Sequence, residues 1–396
     1  MSAGRKGARS AGARATRRWL KIAAGLLNEP TATGREHAPA AWIRRFAAER
    51  EHLALREDRY GNLIVQFRSP RATVAPLVLV AHLDHPGFVV RGVRGKDVDL
   101  EFRGGVRLRH AKAGTRLEFF ETGSSAPVGS GVLRTAARGS REGMLGAGTA
   151  RVTAGRAVAG GFTMWRLPAF AVRGNRIVSR CIDDLLGAAA ALATLDELHR
   201  TRPGGAHVWG FFTRAEETGL LGALAGIRAR SVPKRARVLS LETSRALPNA
   251  RQGDGVIVRV GDARSVFEPR LTGALCAIAA DLAKVDPDFR FQRKLMDGGS
   301  CEATAFCAAG YRAGGLALPL GNYHNMQGLD GGRVGIGAEN VRVSDFVSEI
   351  RLLVELASRS AELSALESGT EAWIADLTQR AHDFLVSEPL GPRPRR

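Results

Sequence analysis

The sequence predicts an α/β protein: a mostly parallel sheet flanked by helices, interrupted by a small β-rich, barrel-like domain. Three observations lead there. Leu77-Val-Leu-Val-Ala-His-Leu-Asp84 is an unbroken apolar run that stops at polar residues, as a strand buried on both faces of a parallel sheet does. Helix-like and strand-like segments alternate on both sides of residues 91–174. Within that stretch, short Val/Leu/Phe runs are separated by Gly105, Gly114, Gly123, Gly129, Gly131, Gly146, Gly148, Gly155, Gly160 and Gly161, a pattern of short strands and turns with little helical periodicity.

Taken in order, Trp19–Leu27 and Pro39–His52 read as helices, the second with a proline suited to a first helical position. Asn62–Arg68 is a strand after the Gly61 turn, and Leu77–Asp84 follows it; open sheets of this class place ligands at such strand ends. After the insert, a helix is expected over Asp183–His199, a strand over Val208–Thr213, a helix from about Gly219 and a strand over Val238–Glu242. Phe346, Ile350, Leu353 and Val354 share one helical face that would cover the sheet, and Trp373–Leu385 forms a second amphipathic stretch. The expected organisation is a basic flexible tail (1–17), a catalytic domain in two pieces (18–90 and 175–365), the inserted β domain (91–174) and a C-terminal extension (366–396). There is no internal repeat of solenoid period.

Composition narrows the function classes. With 396 residues, 44% of them hydrophobic, the chain can bury a substantial core, which argues against global disorder. No stretch approaches the roughly 18 apolar residues of a membrane span, and the first 20 residues lack the apolar run of a secretory signal, so a soluble cytoplasmic protein is expected. Cys181, Cys276, Cys301 and Cys307 have no C-x-x-C spacing, which argues against a disulfide scaffold or a thiolate zinc finger. The net charge of +19 brings polyanions into consideration. Part of that excess is terminal, with Arg5, Lys6, Arg9, Arg14, Arg17, Arg18 and Lys21 preceding any acid and Arg393-Pro-Arg395-Arg396 closing the chain. Without an aromatic-interleaved basic motif or a helix-turn-helix signature, nucleic acid is not expected as the main partner.

Five segments carry chemistry. His82 and Asp84 fall on the same side of a strand, where the carboxylate can accept the imidazole's second N–H and fix its tautomer; taken alone, such a pair is more often a structural contact than a metal site. Asp183-Asp184 precede Leu-Leu-Gly-Ala, where helix capping would account for them but not for the buried-looking Ile177–Ile182 before them. Glu216-Glu217 follow the apolar run Val208–Phe212. Adjacent carboxylates repel, and a dication on one relieves that cost and leaves the other free as a general base; a solvated turn would also accommodate them. Glu242 ends another strand, and His324 follows a glycine turn in Leu318-Pro-Leu-Gly-Asn-Tyr-His324. Each segment delivers its polar group at a strand C-terminus or helix N-terminus, the same edge of an α/β sheet. Carboxylate oxygens and imidazole nitrogens suit zinc, with cobalt or manganese as alternatives.

The order His82-x-Asp84, Asp183-Asp184-x-x-Gly187, Glu216-Glu217-x-Gly219, Glu242 and Tyr323-His324 resembles the co-catalytic zinc exopeptidases over roughly residues 60–360. It is most similar to their tetrahedral aminopeptidase branch, metallopeptidase family 42, with glutamyl, leucyl and lysyl aminopeptidase-like members. Carboxypeptidase and deacylase relatives place their inserted domain after the Glu-Glu pair; here it precedes that pair, in the 101 positions from His82 to Asp183. The resemblance implies a zinc-exopeptidase sheet, two divalent ions per subunit and hydrolysis of peptides with a free N-terminus. It makes Asp183 the bridging ligand, with His82 and Glu242 on one ion and Glu217 and His324 on the other. It makes Asp84 the partner of His82 and Glu216 the general base, and leaves Tyr323 and Gly299 as candidates for contact with substrate or oxyanion. It also implies a homo-oligomer, a twelve-subunit shell in which the insert contributes contacts. Two departures stand out. The family usually has aspartate where Glu242 stands, and its Gly-Thr-Asp-Ala segment is here Gly298-Gly-Ser-Cys-Glu-Ala303. The competing readings are a deacylase or carboxypeptidase of the same superfamily, and a non-catalytic basic binding protein.

Overall fold

A computed structural model describes residues 2–388, with side chains from residue 12 onward; the terminal Arg393-Pro-Arg395-Arg396 lies outside the described residues. The chain opens with α1 (Ser2–Leu27) and α2 (His37–Ala48), then β1 (Ala54–Glu57), β2 (Leu63–Arg68) and β3 (Leu77–His82). Six strands follow: β4 (Gly87–Arg94), β5 (Asp97–Arg103), β6 (Arg116–Phe120), β7 (Gly129–Arg138), β8 (Leu145–Gly155) and β9 (Phe162–Trp165). β10 (Ala171–Arg173) and β11 (Arg176–Ser179) lead to α3 (Leu185–Thr201), β12 (His207–Thr213), α4 (Leu221–Arg228) and β13 (Arg237–Arg245). Then come β14 (Val256–Asp262), α5 (Pro269–Val285), β15 (Phe291–Met296), α6 (Glu302–Ala308) and β16 (Arg312–Leu320). The chain finishes with β17 (Met326–Gln327), β18 (Gly335–Ile336), β19 (Glu339–Arg342), α7 (Val343–Ser358), α8 (Leu363–Glu367) and α9 (Gly369–Ser387).

The main sheet runs β1-β2-β12-β3-β13-β16-β14-β15. Its centre, β12-β3-β13-β16, is parallel throughout, and the antiparallel pairs lie toward the edges, at β1/β2, β2/β12 and β14/β16. All six residues of β3 are buried, because apolar layers cover both faces of the sheet. One layer joins Leu79 and Leu241 to α1, α3, α5 and α7; the other joins Val78, Val80 and Val238 to Ala223 of α4 and Phe306 of α6. Every residue of α3 from Leu185 to Leu198 is buried, as befits a helix that is apolar nearly all round and sits in the middle of a large domain. α7 lays Phe346, Ile350 and Leu353 on the core as the periodicity predicts, with Val354 at its rim.

The inserted strands close into a barrel, β4-β5-β8-β7-β6-β9, which leaves no free edges. Its own core centres on Phe88, Phe102, Leu117, Phe119 and Trp165. The barrel strands run from Gly87 to Trp165, inside and slightly ahead of the 91–174 expected, because β4 begins directly after the turn that ends β3. β10 pairs instead with β11, and β11 with β19, in a separate three-stranded sheet outside the barrel.

Two expectations need correction. The segment 1–17 expected as a flexible tail is helix from Ser2, continuous with the helix expected at Trp19; it is rich in alanine and arginine, both strong helix formers, and the charge pattern concealed that propensity. The helix expected over Pro39–His52 runs His37–Ala48, so Pro39 is its third residue, still within the first turn where a missing N–H costs nothing. At the other end α9 is helical over the predicted amphipathic stretch, yet none of its residues is buried.

Candidate metal centre

The parallel strands deliver the polar residues to one edge. His82 is the last residue of β3, directly beside Thr213, the last of β12. Glu242 lies on β13 opposite Ala317 of β16, and β16 runs on into the turn that carries His324. Asp183 arrives from β11 at the start of α3, joined to Asp184 by a cis peptide.

The glutamate pair is held by its loop. After β12 the chain turns through Ala215 and Leu220 in left-handed conformation and Gly219 at φ 112. Buried Glu36 anchors that turn, since one oxygen accepts from the Ala215 amide at 3.1 Å and the other from the Arg214 guanidinium at 3.0 Å. Asp84 takes the next two donors: its carboxylate accepts from the amides of Glu216 (2.9 Å) and Glu217 (3.2 Å) and from the Thr33 hydroxyl (2.9 Å). This differs from the partnership expected with His82. The carboxylate is 3.6 Å from His82 Nδ1, which instead donates to the backbone carbonyl of Asp84 at 3.1 Å, because the side chain is engaged by the glutamate loop.

Both site histidines are thereby oriented alike. His82 Nδ1 faces the carbonyl of Asp84, and His324 Nδ1 faces the carbonyl of Gly105 at 2.8 Å. A carbonyl can only accept, so each ring carries a hydrogen on Nδ1 and turns Nε2 inward, the nitrogen a metal ion would take on displacing its proton. His82 Nε2 lies 3.4 Å from Asp183 Oδ1 and 3.8 Å from Glu216 Oε2. His324 Nε2 lies 3.3 Å from Asp183 Oδ2 and 3.0 Å from Glu217 Oε1. Donor atoms group within 4.8 Å of one another in three sets: His82–Asp183–Glu242, Asp183–Glu217–His324, and His82–Glu216–Glu217. The first two share Asp183.

Carboxylates crowd together in a buried setting here. Burial, then the neighbouring Glu242, Glu217 and Glu302, push the Glu216 carboxyl well above the ordinary carboxylate range, with His82 opposing. Burial and Glu302 do the same to Glu242, and burial raises Asp184. Burial would lower both histidines, but the surrounding carboxylates more than reverse it and hold them well above the usual imidazole value. Asp183 Oδ1, Glu217 Oε1 and Glu242 Oε1 are buried without a hydrogen-bond partner. Orphaned acceptors of this kind are costly, and a dication satisfies them. The oxygen and nitrogen donors present thus fit divalent ions of the zinc type.

Tyr323 stacks on the His324 ring, centroids 3.7 Å apart, and burial together with the carboxylate charges drives its phenol upward. Gly299 is not brought to this cluster by any hydrogen bond: it lies in an exposed loop, its carbonyl accepting from the Ala263 amide. The residue of that altered glycine-rich segment that does approach the site is Glu302, fully buried and accepting from the hydroxyls of Thr213 (2.9 Å) and Ser240 (3.0 Å). Nor is Asp184 a cap: its side chain makes no capping bond and both its oxygens are buried and unpartnered. They sit against the place a Cβ at Gly187 would occupy, 2.4 Å from Oδ1, so only glycine fits there.

Sequence reasoning missed the supports of Asp183. His85 donates from Nδ1 to the Asp183 carbonyl at 2.5 Å, with Nε2 toward Asn325 at 3.1 Å. Glu339 accepts from the amides of Ile182 (2.6 Å) and Asp183 (3.1 Å), and burial raises its carboxyl to about 7. A third polar residue directly after His82-x-Asp84 was the available signal for His85; Glu339 lies in an unremarkable edge strand and gave none.

Known proteins resemble this chain in part of its sequence and in most of its fold. The family model for M42 glutamyl aminopeptidases matches residues 154–330, a little under half of the chain. No curated protein matches the sequence. Among solved structures, an aminopeptidase from the archaeon Desulfurococcus kamchatkensis superposes with a TM-score of 0.71 at 19% identity, over 87% of this chain and 95% of that one. A TET aminopeptidase from a marine-sediment thaumarchaeon gives 0.71 at 17%, over 88% and 99%. The Pyrococcus horikoshii TET1 peptidase, described as assembling into a tetrahedron or a large octahedral shell, gives 0.67 at 18%, over 86% and 99%. At these identities the structures speak to the fold, and the family match speaks to the chemistry. Together they agree with the resemblance seen in the motifs: the chain is similar to the M42 tetrahedral aminopeptidases in fold, and the family match supports a peptide-bond hydrolase.

Proposed function

We propose that this protein is a two-metal aminopeptidase, removing N-terminal residues from peptides that carry a free amino end. The observation that supports this most is the pair of donor sets sharing Asp183, with the Glu216 carboxylate beside them. In this reading His82 and Glu242 hold one ion, Glu217 and His324 the other, and Asp183 both. Zinc is the first candidate, with cobalt or manganese as alternatives. Bound divalent ions would supply polarisation of the scissile carbonyl and a water of lowered pKa.

The chain's own residues supply the rest. Asp84 fixes the Glu216 and Glu217 amides, so the two carboxylates stay side by side while only one ligates. Glu216 takes the proton from the attacking water at its carboxylate and passes it to the departing amine nitrogen. Tyr323, packed on His324, is the candidate in this reading for contact with the substrate carbonyl. The longer Glu242 side chain, where aspartate is usual, is accommodated beside Glu302, whose own oxygens are tied to Thr213 and Ser240.

A homo-oligomer belongs to the same reading, in keeping with the assemblies named for the structural neighbours, with the barrel contributing contacts. Twelve copies are the first number to test, by light scattering at moderate salt. A cytoplasmic setting accords with four free cysteines; no helix among the described residues is long and apolar enough to cross a membrane.

The test combines elemental analysis with a panel of aminoacyl chromogenic substrates. Two ions per chain, loss of hydrolysis on chelation and indifference to N-blocked substrates are expected. A fully active enzyme with one ion would refute the two-metal reading, and turnover of N-blocked substrates would move the protein to the deacylase or carboxypeptidase class.

A further inference from the structure

His324 takes the hydrogen-bond partner of its Nδ1 from the barrel rather than from its own domain. It stands in a short turn where Asn322, His324 and Asn325 have φ 56°, 53° and 62°, a left-handed conformation that asparagine and histidine adopt more readily than most side-chain-bearing residues. Tyr323 covers one face of the ring. The polar contact that sets the direction of Nε2 is the bond from Nδ1 to the carbonyl of Gly105, between β5 and β6 of the barrel. The same segment is clasped on either side. Gly104 packs on Pro86, a Cβ there falling 2.7 Å from it; the carbonyl of buried Val106 accepts from the Leu145 amide at 2.8 Å, and the Arg107 amide lies 3.3 Å from Met326 Sδ.

We propose that Gly105 is a positioning residue for the Glu217–His324 half of the centre: the barrel segment Gly104–Arg107 sets where His324 Nε2 points, and so how tightly that half holds its ion. This rests on the reading of His324 as a ligand. Two features make the inference specific. A Cβ at residue 105 would lie 3.2 Å from both Cε1 and Nδ1 of His324, so any side chain pushes the imidazole by a few tenths of an ångström. And the other half is independent of the barrel in this respect, because His82 Nδ1 uses the carbonyl of Asp84 in its own segment. The left-handed conformation that makes glycine obligatory elsewhere is absent at residue 105, so Gly105→Ala perturbs the ring and not the backbone.

The experiment uses the full chain stripped of metal. Zn²⁺ alone, and in parallel Co²⁺ alone, is titrated into the unaltered protein and Gly105→Ala, following the two dissociation constants, the cobalt absorption bands and the thermal midpoint of the metal-free form. The expected result is one ion bound about 10–100-fold more weakly, the usual cost of disturbing an outer-shell partner. The other constant and the metal-free midpoint should stay unchanged, and the cobalt bands should alter for one site only. Unchanged constants for both ions would overturn the proposal while leaving the two-metal reading intact. Equal weakening of both ions with a lowered metal-free midpoint would also overturn it, since that is a packing role. If the unaltered protein binds fewer than two ions, the two-metal reading falls first and the proposal with it, a failure visible before any substitution is made.

Discussion

Glu216→Gln separates the two ways the glutamate pair can work. The substitution conserves volume and leaves the residue 216 amide free to donate to Asp84 Oδ1 at 2.9 Å, so the loop keeps its anchor. What it removes is a carboxylate raised by burial and by Glu242, Glu217 and Glu302. An amide there relieves repulsion, and the metal-free fold should gain rather than lose stability. If Glu216 is the general base, turnover falls by about 10²–10⁴, roughly 3–5.5 kcal/mol of barrier at 1.36 kcal/mol per tenfold. The geometry also contains the rival set His82–Glu216–Glu217 within 4.8 Å, in which Glu216 is a ligand. Measuring kcat/KM on an aminoacyl chromogenic substrate together with metal content decides between them. Full metal with turnover lost supports the base. An ion lost along with activity, or near-normal activity with both ions present, refutes it.

Other consequences follow from the packing. Glu367 of α8 receives Arg237 of β13 through two buried bonds, 2.6 and 2.9 Å, and Arg312 at 3.0 Å; Glu367→Ala strands the Arg237 charge and should cost about 3–5 kcal/mol in denaturant unfolding. Truncation after Ser368 removes a helix with no buried residue and should leave the midpoint and the rate on small substrates unchanged; a collapse of either would show that α9 packs in solution. Glu349 is buried with both oxygens unpartnered, and burial holds its carboxyl well above the ordinary 4.5. The unfolded chain ionises there first, so its contribution to stability declines as pH rises from that value toward the folded one. Glu349→Met should therefore raise stability at neutral pH by about 1–3 kcal/mol and flatten the pH dependence of the melting curve; a lower midpoint would mean the carboxyl has a partner.

How far the sequence alone reached depends on the range of the interaction. β3, β12 and α3 were legible because a strand or helix buried on all sides must be apolar along its whole length, and that requirement is local. His82, Asp183, Glu216, Glu217, Glu242 and His324 were legible because each interrupts such a run where it leaves the core, where a polar side chain needs a reason. Their order and the length of the insert completed that reading. The tertiary structure decided the rest. That Asp84 serves the Glu216 and Glu217 amides, that His85 and Glu339 hold Asp183 in place, and that Gly105 orients His324 are contacts between segments far apart in the chain; nothing in a residue's neighbours records which carbonyl will lie opposite its ring. The helical fate of residues 2–17 was hidden for the opposite reason: the charge pattern suggested solvation, while alanine and arginine propensity favours helix. The direction of His324 Nε2, on which the proposed metal chemistry of its half depends, is a property of a hydrogen bond closed only when the barrel and the sheet have folded against each other.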